Sequence, residues 1–406
     1  MVDKELLYGT LKKYFGYDSF REGQEELITN TLQGKDVLGI MPTSGGKSLC
    51  YQLPALLLDG MTIVVSPLVS LMKDQVDSLR EMGIAAAYLN STLSREEFLQ
   101  LMDDMRSGQL KLLYIAPERI DNESFMNALR IVNVPLLVVD EAHCISQWGS
   151  DFRPSYQGVA RLYDVFGRRP RVAAFTATAT EPVQDDIMIQ LRLQQPFRLV
   201  TGFDRSNLAF SVEKPADKFK FLVKDLNPKE ASIIYCSTRK NVESVQKKLE
   251  QKGFAVTLYH AGLPEHERQR NQDDFLFDRK PIMVATNAFG MGIDKPDVKT
   301  VIHIQLPENI ENYYQEAGRA GRNGEKAFGI IVTNPSDIGY TKAQFIDVLP
   351  DKKFVKDIYI KLNNYFQIAY GEGYNESFAF NLNQFCAHYH FPVIKAFNSL
   401  QFLDRQ

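Results

Sequence analysis

The segment Val37-Leu38-Gly39-Ile40-Met41-Pro42-Thr43-Ser44-Gly45-Gly46-Lys47-Ser48 decides how the rest of the chain reads. It opens with a strand-length apolar run, turns through a glycine pair, and precedes a stretch of helical character. In that context backbone N–H groups converge on phosphate oxygens, with a helix dipole behind them. Thr43, Gly45 and Gly46 supply the loop, Lys47 a charge for the β- and γ-phosphates, and Ser48 a hydroxyl for Mg2+. The strict pattern begins with glycine, where this chain has Met41. The plainer alternative is a glycine turn with a surface lysine, and the preceding strand weighs against it.

Outward from this segment, short β-rich runs alternate with stretches long enough for helices. Strands are expected at Val37–Ile40, Thr62–Val65, Leu112–Ile115, Leu136–Val139 and 172–175, with helices over 71–82 and 95–107. The pattern recurs at Ser232–Tyr235, 255–258, 281–284, Thr300–His303 and 328–332. Such alternation argues for parallel sheets wrapped by helices. Its recurrence predicts two α/β domains instead of one long sheet. The pattern breaks between residues 201 and 218, at Phe203-Asp204-Arg205-Ser206-Asn207. Residues 341–406 read as helical and aromatic-rich, with loop signals at Gly371-Glu372-Gly373. The expected divisions are therefore 1–205, 206–340 and 341–406. Ile394, Phe397 and Leu400 keep a helical spacing, and the chain stops at Gln406 without an exit signal, which predicts a C-terminal truncation.

Hydrophobic residues make up 44% and charged residues 24%, which excludes a disordered or fibrous chain. No apolar run approaches the roughly 18 residues of a membrane span, and the polar N-terminus is no secretory signal. The reading is a cytoplasmic protein without a membrane partner. With 47 basic and 50 acidic residues the net charge is −3, so any nucleic-acid surface is a local groove, not a global basic coat. Cys50, Cys144, Cys236 and Cys386 stand far apart, which argues against zinc clusters and disulfides and suits a reducing compartment. Cys386-Ala387-His388-Tyr389-His390 reads as a buried thiol with helix-face histidines, not as a metal site. A lone histidine such as His260 reads as structural.

A second chemical element is Val138-Val139-Asp140-Glu141-Ala142-His143. An acidic pair at the carboxyl end of a strand suits a Mg2+ ligand, Asp140, and a carboxylate that deprotonates a water, Glu141. The alternative is a solvated acidic turn. The first half offers no cation for the far side of a γ-phosphate. Arg319 and Arg322, three apart and on one face if helical, can supply it across a cleft. Alone they would read as a solvated helix face. Trp148, the single tryptophan, shares a loop with Gln147, Phe152 and Arg153, a combination suited to stacking on unpaired bases. Its alternative is a core tryptophan.

These residues and others carry a resemblance. The run Asp140-Glu141-Ala142-His143-Cys144-Ile145-Ser146-Gln147-Trp148 through Arg153-Pro154 closely resembles RecQ DNA helicases of helicase superfamily 2. Tyr17-Asp18-Ser19-Phe20-Arg21-Glu22-Gly23-Gln24 resembles the family's adenine-reading motif. Ser66-Pro67-Leu68-Val69-Ser70-Leu71-Met72 and Ala116-Pro117-Glu118-Arg119 resemble its strand-contacting motifs, and Thr176-Ala177-Thr178-Ala179 its coupling motif. Tyr235-Cys236-Ser237-Thr238-Arg239, Ala285-Thr286-Asn287-Ala288-Phe289-Gly290-Met291-Gly292-Ile293-Asp294 and Gln315-Glu316-Ala317-Gly318-Arg319-Ala320-Gly321-Arg322 follow in the family's order.

The resemblance spans about residues 6 to 335 and implies two tandem RecA-like domains with ATP and Mg2+ between them. It implies ATP contacts from Tyr17, Arg21, Gln24, Gly292 and Asp294, with the Gln24 amide on the adenine edge and Phe15 and Phe20 in the core. It implies DNA contact or coupling by Ser66, Met72, His143, Gln147, Trp148, Phe152, Arg153, Thr176, Thr178, Thr238 and Arg239. The implied protein is a monomeric 3′-to-5′ DNA helicase of repair and recombination, acting on single-stranded and partly duplex DNA in a bacterial nucleoid. The rivals are an RNA-stimulated superfamily 2 ATPase and a nucleic-acid-binding module that hydrolyses nothing. The chain departs from the family where a four-cysteine zinc module would follow the second domain, since only Cys386 stands there. Residues 341–406 then form a zinc-free helical replacement, or 380–403 the start of a winged helix.

Overall fold

The structure is a computed structural model that describes residues 2–42, 45–89, 94–147, 152–202, 204–290, 295–369, 372–374 and 376–404. Two parallel sheets organise it. The first contains β1 (Val37–Ile40), β2 (Thr62–Val65), β3 (Ala86–Leu89), β4 (Leu112–Ile115), β5 (Leu136–Val139), β6 (Arg171–Thr176) and β7 (Phe197–Val200), in the order β3-β4-β2-β5-β6-β1-β7. The second contains β8 (Leu208–Glu213), β9 (Ser232–Tyr235), β10 (Val256–Tyr259), β11 (Ile282–Ala285), β12 (Thr300–His303) and β13 (Ala327–Val332), in the order β10-β11-β9-β12-β13-β8.

The central strands are apolar at nearly every position because helices cover both faces. Alternation then sorts each strand between two cores. Leu38, Ile40, Leu137 and Val139 pack into one, and Val37, Leu136 and Val138 into the other. The second sheet repeats this, with Ile233 and Tyr235 on one face and Ile234 on the other. A third, small core holds Ile358, Phe385, Cys386 and Ala396 of the C-terminal helices Lys352–Phe366, Leu382–Tyr389 and Val393–Asp404.

The strands expected from the sequence appear within one residue of their predicted ends. Three strands were not legible: β3, β7 and β8. The expectation that residues 201–218 merely break the pattern is corrected, because β8 runs inside that segment. All three lie at sheet edges. An edge strand pairs on one side only and needs no continuous apolar run. β7 is half-buried only at alternate residues, and β8 exposes Phe210 and Val212. Among the described residues no helix is long and apolar enough to cross a membrane, and no group of three or more His, Cys, Asp or Glu side chains gathers as a metal site.

The entry to the first sheet is tied by one buried carboxylate. Asp36, 3% exposed, precedes β1 and accepts from Arg169 at 3.1 and 2.7 Å, from Val172 N at 2.8 Å and from Gln194 N at 2.7 Å. These partners lie beside β6 and β7, the two neighbours of β1. Removing one partner of such a pair strands buried donors. Asp36→Ala is expected to cost about 3 kcal/mol. The readout is a lower denaturant midpoint at unchanged slope, and a loss below about 1 kcal/mol would contradict the assignment.

Candidate active site

Loops at the carboxyl ends of parallel strands gather functional groups because every strand points the same way. Here the glycine loop follows β1 and the acidic pair follows β5, with β6 between them. Gly45 N donates to Pro42 O at 2.8 Å, and the helix Leu49–Leu57 starts just after Ser48. Gly46 has φ +71°, and a Cβ there would meet Gln24 Nε2 at 2.5 Å, so this position demands glycine. Thr43 lies outside the described residues.

Glu141 adopts a left-handed backbone, φ 47° and ψ 48°, rare for a residue with a side chain. The turn swings its carboxylate back to the loop, leaving Oε1 3.6 Å from Lys47 Nζ and Oε2 3.4 Å from His143 Nδ1. Neither Lys47 Nζ nor Glu141 Oε2 has a hydrogen-bond partner among the described residues. Asp140 is fixed from behind: Glu141 N donates to its Oδ1 at 3.0 Å and Tyr156 Oη donates to its carbonyl at 3.0 Å. Burial and the neighbouring Glu141 push the Asp140 carboxyl up to about 6. The Lys47 ammonium, His143 and Arg319 hold Glu141 below the usual carboxylate range, against the effect of its burial.

A cavity of about 510 Å3 brings these residues together with the second sheet. Its wall includes Lys47, Ser48, Asp140 and Glu141 on one side and Gly290, Gln315, Arg319 and Arg322 on the other. The two arginines were expected on one face if their segment were helical, and it is not. The helix Ile310–Ala317 has ended, and both sit in the turns that follow. Gly321, at φ +62°, bends the chain there. The turn is braced from residues read only as a linker. Arg205 donates to Gly318 O and Gly321 O at 2.8 and 2.6 Å, and Asn207 Nδ2 donates to Gly321 O at 2.8 Å and Glu325 O at 2.7 Å.

Tyr17, Arg21 and Gln24 also line the cavity, with Tyr17 exposed at its rim. Phe15 and Phe20 pack partly buried against the core, and Phe15 reaches the cavity wall as well. Gln24 differs from expectation. Its Nε2 donates to Gly45 O and Gly46 O, both at 3.1 Å, and its Oε1 accepts from Arg21 N at 2.8 Å. Its amide is committed to the glycine loop and would have to release these bonds to meet a base edge.

The residues expected at DNA scatter more widely. Met72 is fully buried in the core, which corrects its expected role as a strand contact. Ser66 is buried beyond β2, and Arg153 Nη1 donates to the adjacent Pro67 O at 3.0 Å. Gln147 is exposed and Phe152 half-buried. Thr238 accepts from Asn241 N at 3.2 Å and caps a helix, and the exposed Arg239 lies against Gly262, so neither lines the cavity. Trp148, Gly292 and Asp294 lie outside the described residues.

His143, Thr176 and Thr178 form a chain between the sheets. His143 Nδ1 is 2.7 Å from Thr176 Oγ1, which donates to Thr178 O at 3.2 Å. Gln315 Nε2, from the second sheet's side, donates to Thr178 Oγ1 at 3.0 Å. Gln315, Gly290, Arg205 and Asn207 had not been singled out. The first two stood inside quoted motifs, and an amide four residues before Arg319 was the available signal. The brace from 205 and 207 is a long-range contact with no local signature.

The geometry defines a class: two RecA-like parallel sheets with a glycine loop, an acidic pair and two arginines around one cavity. The DEAD/DEAH box helicase family matches residues 21–186, and the helicase conserved C-terminal domain matches residues 217–324. Relatives include the ATP-dependent DNA helicase RecQ of Bacillus subtilis, 47% identical across 81% of this chain and 56% of that protein. Another is the ATP-dependent DNA helicase RecQ of Synechocystis, 42% identical across 80% of this chain and 70% of that protein. Solved structures share the fold at low identity. The DUF1998 helicase MrfA bound to DNA has a TM-score of 0.70 at 20% identity, covering 84% of this chain and 53% of that one. Saccharomyces cerevisiae Dbp5 bound to RNA and ADP BeF3 has a TM-score of 0.63 at 20% identity, covering 84% of this chain and 91% of that one. The chain belongs to the RecQ family of superfamily 2 helicases. It spans little more than half the length of the Bacillus relative.

Asp140 gives a pH prediction. A carboxyl whose pKa is raised in the fold contributes stability that is full below about 4 and is lost as pH rises through about 6. Asp140→Asn keeps the Oδ1 acceptor without the charge. In EDTA the variant is expected to be more stable than the native chain at pH 7.5, by on the order of 2 kcal/mol, with the gap closing towards pH 4. A pH-independent gap in thermal midpoint would refute this.

Proposed function

We propose that this chain is the motor core of an ATP-dependent DNA helicase, with residues 1–205 and 206–340 as its two motor domains and 341–406 as a helical appendage. One observation carries the reading: charged groups from both sheets share one cavity with the glycine loop. The buried Lys47 nitrogen and Glu141 oxygen without hydrogen-bond partners suit a phosphorylated, metal-bound guest. Ser48 and Asp140 are the residues that would hold Mg2+, which neutralises phosphate charge when bound.

Glu141 is held ionised beside Lys47 and accepts the proton of the attacking water. Lys47 bears on the phosphates from one side and Arg319 and Arg322 from the other. Phosphoryl transfer depends chiefly on such positioning and charge. Because the arginines belong to the second sheet, hydrolysis and sheet-to-sheet movement are linked. The bridge from His143 through Thr176 and Thr178 to Gln315 ties Glu141 to that movement. Trp148 and Phe152, following closely on Glu141, stack on unpaired bases and report strand occupancy.

The fold occurs in both DNA- and RNA-bound structures and does not separate the two substrates. The RecQ relatives, named as ATP-dependent DNA helicases, favour DNA; translocation from 3′ to 5′ and a role in repair and recombination are what the family resemblance implies. Glu141→Gln is expected to lower ATP turnover by about 100-fold or more while ATP still binds. Trp148→Ala is expected to keep basal turnover and lose most of its stimulation by DNA. Equal losses of basal and stimulated turnover would contradict the coupling role. On partial duplexes, the native chain should separate those with a 3′ single-stranded tail and spare those with a 5′ tail. The opposite preference would refute the direction.

A further inference from the structure

Tyr235, at the end of β9, lines a second, smaller cavity of about 190 Å3. Its ring is buried and stacks on His303, with centroids 5.1 Å apart and planes at 20°. His303 is tied in turn by Nε2, 2.7 Å from Glu316 Oε2. The Tyr235 hydroxyl donates to Phe289 O at 2.8 Å. The next residue, Gly290, forms the surface on which the Arg319 guanidinium lies: a Cβ there would fall 2.5 Å from Nη2 and 3.0 Å from Cζ. The phenol thus fixes the backbone of the Phe289–Gly290 turn against which the guanidinium lies. Arg319 Nε has no hydrogen-bond partner among the described residues.

An arginine is a long, rotamer-rich side chain, and a catalytic one acts best when its orientation is set before the substrate arrives. We infer that Tyr235 is a positioning residue for Arg319: its hydroxyl fixes the Phe289–Gly290 backbone on which the guanidinium rests, and Gly290 leaves the space the guanidinium needs. The stacked His303, anchored by Glu316, keeps the phenol from swinging away. Tyr235 itself touches no phosphate in this scheme. It acts through Arg319, so the inference rests on Arg319 acting in hydrolysis as proposed above.

The test is a double-mutant cycle on the full chain, reading ATP turnover at saturating single-stranded DNA. Tyr235→Phe removes the phenol oxygen and keeps the ring. It is expected to lower kcat about tenfold, to leave KM for ATP within about twofold, and to move Tm by no more than about 2 °C. Arg319→Ala is expected to lower kcat by on the order of 1,000-fold. In that background Tyr235→Phe should cost nothing further. Gly290→Ala, which crowds the same guanidinium, should repeat the pattern without touching Tyr235. Equal losses from Tyr235→Phe with and without Arg319 would overturn the inference alone, as would an unchanged kcat or a rise in KM only. An intact kcat in Arg319→Ala would overturn the proposed role of Arg319 and this inference with it.

Discussion

Everything at the site depends on charges held away from water without full partners. Lys47, Asp140 and Glu141 come from the first sheet and Arg319 from the second, and all line one cavity. Burying a charge is costly unless it is paired and hydrogen-bonded. Lys47 and Glu141 meet at 3.6 Å, beyond a good hydrogen bond, and Asp140 is pushed toward neutrality. A triphosphate with its cation would meet those unmet demands, so the electrostatics of the cleft favour a charged guest.

The strained backbone at Glu141 belongs to this constraint. Its left-handed turn brings the carboxylate toward Lys47 and His143 together. The histidine then connects, through two threonines, to an amide on the far sheet. A group proposed both to activate water and to sense the second domain has to sit where these paths cross. The brace of Arg205 and Asn207 has a matching purpose on the other wall, since a turn that carries two arginines needs its carbonyls satisfied from outside.

Much of this was legible before any coordinates. Strands such as Leu136–Val139 are buried on both faces and therefore read as unbroken apolar runs, and the glycine loop and acidic pair sit at their ends. The edge strands were hidden because one-sided pairing leaves their sequences mixed, as in Leu208–Glu213. Met72 was misjudged because a motif gives proximity in sequence, while the helix turn decides which side chains face the core. The Gln24 amide was predicted to face a base, yet local geometry commits it to the glycine loop. The brace from residues 205 and 207 joins positions more than a hundred residues apart, which no local pattern reveals.

The central claim is that the cavity shared by the two sheets hydrolyses ATP under the control of bound DNA. Its most direct test is the ATP turnover of the native chain alone, with single-stranded DNA, and with RNA of the same sequence. The account predicts strong stimulation by DNA and little by RNA. Equal stimulation by both would contradict a DNA motor, and turnover indifferent to either would contradict the link between strand binding and the ATP site.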